Sequence, residues 1–217
     1  GRAKGRAWAV AQVEGADHGG DAMRTHVDGS MIVNKDGSRS VGAGAVIRIP
    51  GRDEDVRLAW KVTNAGSAYL GELFAIRMAM EWLWTSGIGR GRLVTLVCDC
   101  VSALSKVCSP RHASMNSILT RRAVEQWPWG VVLVWVPSHV GLELNEVADG
   151  LAREGAEDEE DEWECVRADR DFQSAKAAMK VARRKCWEIR WREAAKSACV
   201  ARLSASGWLS DVGCCPV

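Results

Sequence analysis

The sequence predicts an α/β domain with a five-stranded mixed sheet, in which three antiparallel strands are followed by two parallel ones and helices flank both faces. Two apolar runs, 93–98 and 131–136, are rich in Val and too short for soluble helices, which is typical of strands buried on both faces. Each run follows a helical segment, so right-handed crossovers make these two strands parallel. Upstream, three alternating segments separated by turn residues predict an antiparallel meander.

The predicted elements follow the order β-β-β-α-β-α-α-β-α. The meander strands cover 25–33, 41–49 and 56–62. The strongest helix covers 67–84, where apolar residues recur at helical spacing. Two shorter helices, 101–107 and 114–127, lie between the two apolar strands, and a last helix begins at Asn145.

Composition limits the function classes that the chain can serve. The 217 residues carry a formal net charge of +1, so any site for a polyanion must be local. The N-terminus has no secretory signal peptide. Without a secretory context, the eight Cys residues are weak evidence for a disulfide framework. No apolar run approaches the roughly 18 residues of a membrane span. We therefore expect an intracellular protein, nuclear or cytoplasmic, and the start at Gly1 suggests a fragment of a longer polypeptide.

The chain is predicted to have four parts. Residues 1–24 are rich in Gly, Ala and charge and predict a linker, whereas 25–156 contain all the predicted strands. Residues 157–174 open with the acidic run EDEEDEWE and predict a flexible linker. Residues 175–217 predict a basic helical extension, with an amphipathic helix over 175–203.

Four acidic residues occupy positions that surface acids do not usually take. Asp28 lies in the first strand, Glu72 on the apolar side of its helix, and Asp99 at the carboxyl end of a buried strand, the edge where α/β sheets build sites. Asp149 lies among apolar positions of the last helix, after a loop with His139. Any one of these acids alone fits an ion pair or a helix cap better, and His139 alone fits an ordinary loop residue.

Taken together, the four acids predict a metal site. Carboxylates that converge cannot all stay ionised without a counter-charge. Oxygen ligands select hard cations such as Mg²⁺ or Mn²⁺. Two such ions side by side can clamp the attacking and leaving oxygens of a phosphodiester displacement.

Four ordered motifs then resemble a type I ribonuclease H domain, of the kind found in non-LTR retrotransposon polyproteins. The resemblance covers about 25–156. It is carried by HVDGS with GAGAV, by GELFAI, by VCDCVSAL, and by WVPSHVG with NEVAD, which are residues 26–30, 42–46, 71–76, 97–104, 135–141 and 145–149.

The resemblance implies a ribonuclease H-like fold and hydrolysis of the RNA strand of RNA/DNA hybrids, with two Mg²⁺ ions for which Mn²⁺ can substitute. It implies that the metal ligands and catalytic acids are Asp28, Glu72, Asp99 and Asp149. His139 would lie in a mobile loop and assist proton transfer or product departure. The implied substrate contacts are Gly29, Ser30, Ser67 and Asn145, with the 2′-hydroxyl distinguishing RNA from DNA.

The same resemblance implies binding partners for the domain and leaves alternative functions open. The RNA/DNA hybrid is one partner, and the other domains of a polyprotein, such as a reverse transcriptase, would supply further grip. A stand-alone cellular ribonuclease H, a decayed copy that binds nucleic acid without turnover, and a DNA-cutting nuclease or integrase on the same fold remain open. The sequence departs from the family at Cys100, at Ser138 and over 142–144, where the usual short Pro-Gly turn is replaced.

Overall fold

The structure is a computed structural model of the chain. It describes residues 2–16, 20–109, 114–157, 164–168, 179–180 and 182–188. The chain divides into two compact units, 1–175 and 176–217. The first unit contains the elements α1 (Arg2–Gly15), β1 (Met23–Val33), β2 (Arg39–Arg48), β3 (Val56–Thr63), α2 (Ala68–Ser86), β4 (Val94–Cys98), α3 (Val101–Cys108), α4 (Met115–Glu125), β5 (Val131–Trp135), α5 (Glu143–Glu157) and β6 (Glu164–Arg167).

The sheet has the strand order β5-β4-β1-β2-β3-β6. The pairs β1–β2 and β2–β3 are antiparallel, whereas β1–β4 and β4–β5 are parallel. These five strands confirm the predicted fold class, three antiparallel strands and then two parallel ones. The sequence did not predict β6, which lies in the expected acidic linker and extends the sheet in parallel beyond β3.

Helices cover both faces of the sheet, and glycines permit their close approach. A Cβ atom on Gly42 or Gly44 would overlap carbonyl oxygens of α5, those of Ala152 and Ala148. Gly29 pairs with the neighbour of Gly42 in the ladder and therefore faces the opposite side. On that side a Cβ atom at residue 29 would overlap the backbone of α2.

The main core lies between the sheet and α2. Side chains of α2 at helical spacing are fully buried there, among them Leu70, Leu73, Ile76, Met80 and Leu83. They pack against inward residues of β1, β2 and β4. On the other face, α5 forms a smaller cluster with β2 and β3, made by Leu144, Ala148, Leu151, Val46 and Ala59. α5 also contacts β1, the strand that carries Asp28.

Two further sequence predictions differ from the structure. Arg2–Gly15, expected within a linker, is the helix α1, because Ala9 and Val13 lie one turn apart and are buried against β4 and β5. The run 131–136 was expected to be buried on both faces. Its strand β5 instead lies at the edge of the sheet, where residues 131–133 are half-buried and Trp135 is exposed.

In the second unit, residues 179–180 and 182–188 are helical. Arg184 there donates to the Glu188 carboxylate at 3.1 Å, one turn further along. The rest of the helix predicted over 175–203 lies outside the described residues. Among the helices that the structure describes, none is long and apolar enough to cross a membrane.

Candidate active site

Three carboxylates meet at the carboxyl end of β4. Asp28 lies in β1, Glu72 lies in the second turn of α2, and Asp99 directly follows β4. One oxygen atom from each can be chosen so that all three lie within 4.8 Å of one another. We refer to Asp28, Glu72 and Asp99 as the carboxylate cluster.

The approach of β1 to α2 brings two of these acids together. A Cβ atom on Gly29 would overlap the backbone nitrogen of Glu72, and one on Gly71 would lie 3.0 Å from the α-carbon of Gly29. Only glycine at these positions lets the strand and the helix touch backbone to backbone. Asp28 and Glu72, the neighbours of these glycines, are therefore placed side by side.

Asp28 is 7 % exposed and its carboxylate is held by two hydrogen bonds. The backbone N–H of Gly29 donates to Oδ1 at 2.6 Å, and the protonated carboxyl of Glu72 also donates to Asp28. Burial, followed by the charge of Asp99, raises the pKa of Asp28 from 3.8 to about 7, although the Gly29 N–H opposes the shift. The Asp28 carboxylate is thus short of positive charge.

Glu72 is perturbed more strongly. Burial, followed by the charges of Asp28 and Asp99, raises the pKa of Glu72 from 4.5 to about 10. The Cys98 thiol donates to Glu72 Oε2 at 3.6 Å and partly opposes this shift. In the metal-free protein Glu72 is therefore protonated at neutral pH.

Asp99, Asp149 and His139 interact electrostatically. Burial raises the pKa of Asp99; the nearby charge of His139 opposes this shift, and the charge of Asp149 adds to it. Asp149 lies on α5 outside the carboxylate cluster, with its side chain 28 % exposed. Arg153 Nη2 lies 3.7 Å from Oδ2 of Asp149, one helical turn away.

The structure places the expected substrate contacts in different settings. Ser30 is half-buried on β1 and pairs with Gly42. Ser67 caps α2, with its hydroxyl accepting from the N–H of Leu70 at 3.4 Å. Asn145 lies in the first turn of α5, is 6 % exposed and forms a hydrogen bond with the His26 side chain. Gly29 allows β1 to pack closely on α2.

Sequence reasoning missed several neighbours of the cluster. Cys98 contacts Glu72, and the indole N–H of Trp135 donates to the carbonyl oxygen of Asp99 at 2.9 Å. Both could have been found from the pattern, because Cys98 and Trp135 end adjacent parallel strands and are directly paired. His26 is buried two residues before Asp28. Burial lowers the pKa of its ring from 6.5 to about 4, opposed by Asn145.

The carboxylate cluster fits a divalent cation. Its donor atoms are all carboxylate oxygens, which hard cations such as Mg²⁺ and Mn²⁺ prefer. The raised pKa values of the three acids show that their ionised forms lack a counter-charge in the protein alone. A bound cation would supply that charge and allow all three acids to ionise.

Comparison with known proteins finds similar structures but no matching family. No family model matches the chain, and no curated protein matches it in sequence. Ribonuclease H1 from the halophilic archaeon Halobacterium salinarum superposes with a TM-score of 0.49 at 16 % identity, over 62 % of this chain and 96 % of that one.

Two further structures give comparable values. A foamy viral protease-reverse transcriptase in complex with an RNA/DNA hybrid has a TM-score of 0.49 at 16 % identity, over 63 % of this chain and 20 % of that one. The LC11 ribonuclease H1 from compost has a TM-score of 0.48 at 18 % identity, over 63 % and 96 % of the two chains. We base the functional argument on the chain's own strands and carboxylates.

Proposed function

We propose that this protein is a metal-dependent endonuclease that hydrolyses the RNA strand of RNA/DNA hybrids. The observation that carries the proposal is the carboxylate cluster on the mixed sheet, two buried acids and one half-buried acid with oxygen atoms within 4.8 Å of one another. The motifs around Asp28, Glu72, Asp99 and Asp149, which resemble ribonuclease H, support the choice of substrate.

In this proposal Asp28, Glu72 and Asp99 bind two Mg²⁺ or Mn²⁺ ions, and Asp149 completes the set. The bound ions supply the chemistry, by activating water and by neutralising charge on the scissile phosphate. The protein holds Asp28 through the Gly29 N–H and Glu72 through the Cys98 thiol. These contacts orient the carboxylates before substrate arrives, which limits the reorganisation that the reaction requires.

His139 is the proton carrier of the proposal. It lies in the loop between β5 and α5, with a left-handed backbone conformation at φ 52°, and its charge interacts with that of Asp99. An imidazole ring can carry and transfer a proton, so His139 can donate one to the leaving 3′ oxygen. The products are then a 5′-phosphate and a 3′-hydroxyl.

We further propose that the domain serves reverse transcription within a retrotransposon polyprotein. This rests on the motif WVPSHVG followed by NEVAD, which resembles the corresponding motif in the ribonuclease H domains of such polyproteins. With a net charge of +1, the chain has little general attraction for nucleic acid. Neighbouring domains of a polyprotein would raise the local concentration of hybrid.

The test is cleavage of an RNA strand labelled at its 5′ end, annealed to DNA, with Mg²⁺ and with EDTA. We expect internal cuts with Mg²⁺ only, and no cuts in duplex DNA, duplex RNA or single-stranded RNA of the same sequence. Cleavage of duplex DNA would indicate a DNA nuclease instead. Binding of Mg²⁺ and hybrid without any cleavage would indicate a copy that has lost turnover.

A further inference from the structure

The helix α1 is connected to both segments that carry the outer residues of the candidate site, to one through Trp135 and to the other directly. One segment is the turn after β4, which contains Asp99, and the other is the loop 136–142, which contains His139. Neither contact was expected, because residues 1–24 were predicted to be a linker.

The first contact runs through two tryptophans. The ring of Trp8 in α1 lies 5.7 Å from that of Trp135, centroid to centroid, with 58° between the ring planes. The indole N–H of Trp135 donates to the carbonyl oxygen of Asp99 at 2.9 Å. Since Trp135 also pairs with Cys98 across the two strands, its ring connects α1 to the backbone of the Asp99 turn.

The second contact lies at the start of α1. A Cβ atom on Gly5 would lie 3.0 Å from Cγ1 of Val140, the residue after His139. A Cβ atom on Gly141 would lie 3.9 Å from Cδ of Arg6. The loop therefore rests directly on the first turns of α1, next to the left-handed conformation of His139.

A buried cluster joins the two contacts. Ala9 and Val13 of α1 are 0 % and 5 % exposed, and they pack with Val97, Val134, Val136 and Leu142. Val97 lies two residues before Asp99, and Leu142 lies three residues after His139. The same helix thus fixes both segments against the same part of the sheet.

We propose that α1 is a positioning element of the active site, which holds the Asp99 turn through Trp8 and the His139 loop through Gly5. This inference rests on the proposed function for its catalytic readout. Neither Trp8 nor Gly5 belongs to the carboxylate cluster. Their role is to keep Asp99 and His139 at a fixed spacing while a hybrid is bound.

The test compares matched substitutions in the full chain. Trp8→Ala removes the ring that contacts Trp135, and Trp8→Phe keeps a ring there. Trp84→Ala is the control, because Trp84 is a helical tryptophan of similar exposure, 48 % against 44 %, on α2. Gly5→Val presses on Val140, whereas Gly15→Val is the matched control in the same helix, since a Cβ atom added at Gly15 meets nothing within 4 Å.

We expect Trp8→Ala and Gly5→Val each to lower kcat about tenfold with little change in KM, because misplaced catalytic groups cost rate rather than binding. Trp8→Phe should restore most of the loss, and the two control variants should match the unchanged chain. Thermal unfolding verifies that each variant is folded. Equal losses in Trp8→Ala and Trp84→Ala would overturn the inference.

A second readout does not depend on activity. In NMR spectra, we expect the Trp135 indole proton and the amide of Val136, which donate to the carbonyl oxygens of Asp99 and Cys98, to exchange with solvent faster in Trp8→Ala and Gly5→Val than in the controls. Unchanged exchange would overturn the inference. If the unchanged chain does not cleave hybrids, the proposed function fails, and this exchange measurement still decides whether α1 holds the two segments.

Discussion

Gly29 and Glu72 are in backbone contact across the junction of β1 and α2, where a Cβ atom on the glycine would overlap the backbone nitrogen of the glutamate. This approach sets the spacing between Asp28 and Glu72, and so the width of the carboxylate cluster. The cluster therefore depends on a packing contact between a strand and a helix as much as on its own acids.

Gly29→Ala should lower the free energy of unfolding by about 3 kcal/mol, because neither backbone can move aside without disturbing the core. It should also weaken Mg²⁺ binding by moving Asp28 away from Glu72. Gly150→Ala is the matched control, since nothing lies within 4 Å of its added Cβ atom and alanine favours a helix. Chemical denaturation measures the free energy of unfolding of both variants. Equal stabilities of the two variants would show that the contact is looser than described.

Glu72 should make the metal-free protein less stable as the pH rises. Its pKa is about 10 in the folded chain against 4.5 ordinarily, so between these values the folded state binds the extra proton. Stability therefore falls with rising pH in this window. At pH 8, Glu72→Gln should stabilise the metal-free protein by about 2 kcal/mol and abolish stabilisation by Mg²⁺.

The control for this measurement is Glu81→Gln, a substitution on the same helix outside the cluster. Melting curves with Mg²⁺ and with EDTA, taken across the pH range, separate the two variants. If Mg²⁺ stabilised Glu72→Gln as much as the unchanged chain, Glu72 would not be a ligand.

His26 should make stability fall at acid pH. The unfolded chain protonates this ring near pH 6.5, whereas the folded chain does so only near pH 4, because the ring is buried. The unfolded state thus binds more protons between these values, and stability falls as pH decreases through them. The loss, relative to His26→Leu, should reach about 3 kcal/mol. An NMR titration showing the His26 ring charged at pH 6 would contradict this.

Ser67 offers a test that separates a structural role from a role in substrate binding. Because Ser67 is the N-cap of α2, Ser67→Ala should lower the free energy of unfolding by about 1 kcal/mol. Ser114→Ala is the matched control, because Ser114 caps α4 in the same way, accepting from the N–H of Ser117. A rise in KM for hybrid in Ser67→Ala alone would identify Ser67 as a substrate contact as well.

Much of the fold follows from local patterns in the sequence. The fully buried run Val94–Cys98 and the alternating meander specify their strands, and the crossovers specify which strands are parallel. Asp28, Glu72 and Asp99 could be identified because each interrupts an apolar pattern. Such an interruption is costly for a carboxylate without a counter-charge, and the structure brings the three acids together, where one cation could serve them all.

Other features depend on tertiary contacts that no local pattern reveals. α1 buries only small apolar residues, Ala9 and Val13, and its other apolar residues are mixed with glycines and charged residues, so its composition resembles a linker. An apolar run such as Val131–Trp135 does not disclose how many strands lie beside it. The Arg153 contact with Asp149 follows from helical spacing, but sequence alone does not show which side chain a metal site would engage.

The most direct test of the central claim is single-turnover cleavage of a labelled RNA/DNA hybrid with Mg²⁺, by the unchanged chain and by Asp99→Asn. The asparagine keeps the shape of the side chain but removes its charge, so it tests the cluster as a metal site rather than as part of the core. We predict that Asp99→Asn cuts at least about a hundredfold more slowly while remaining folded. Equal cutting by the two proteins would contradict the account.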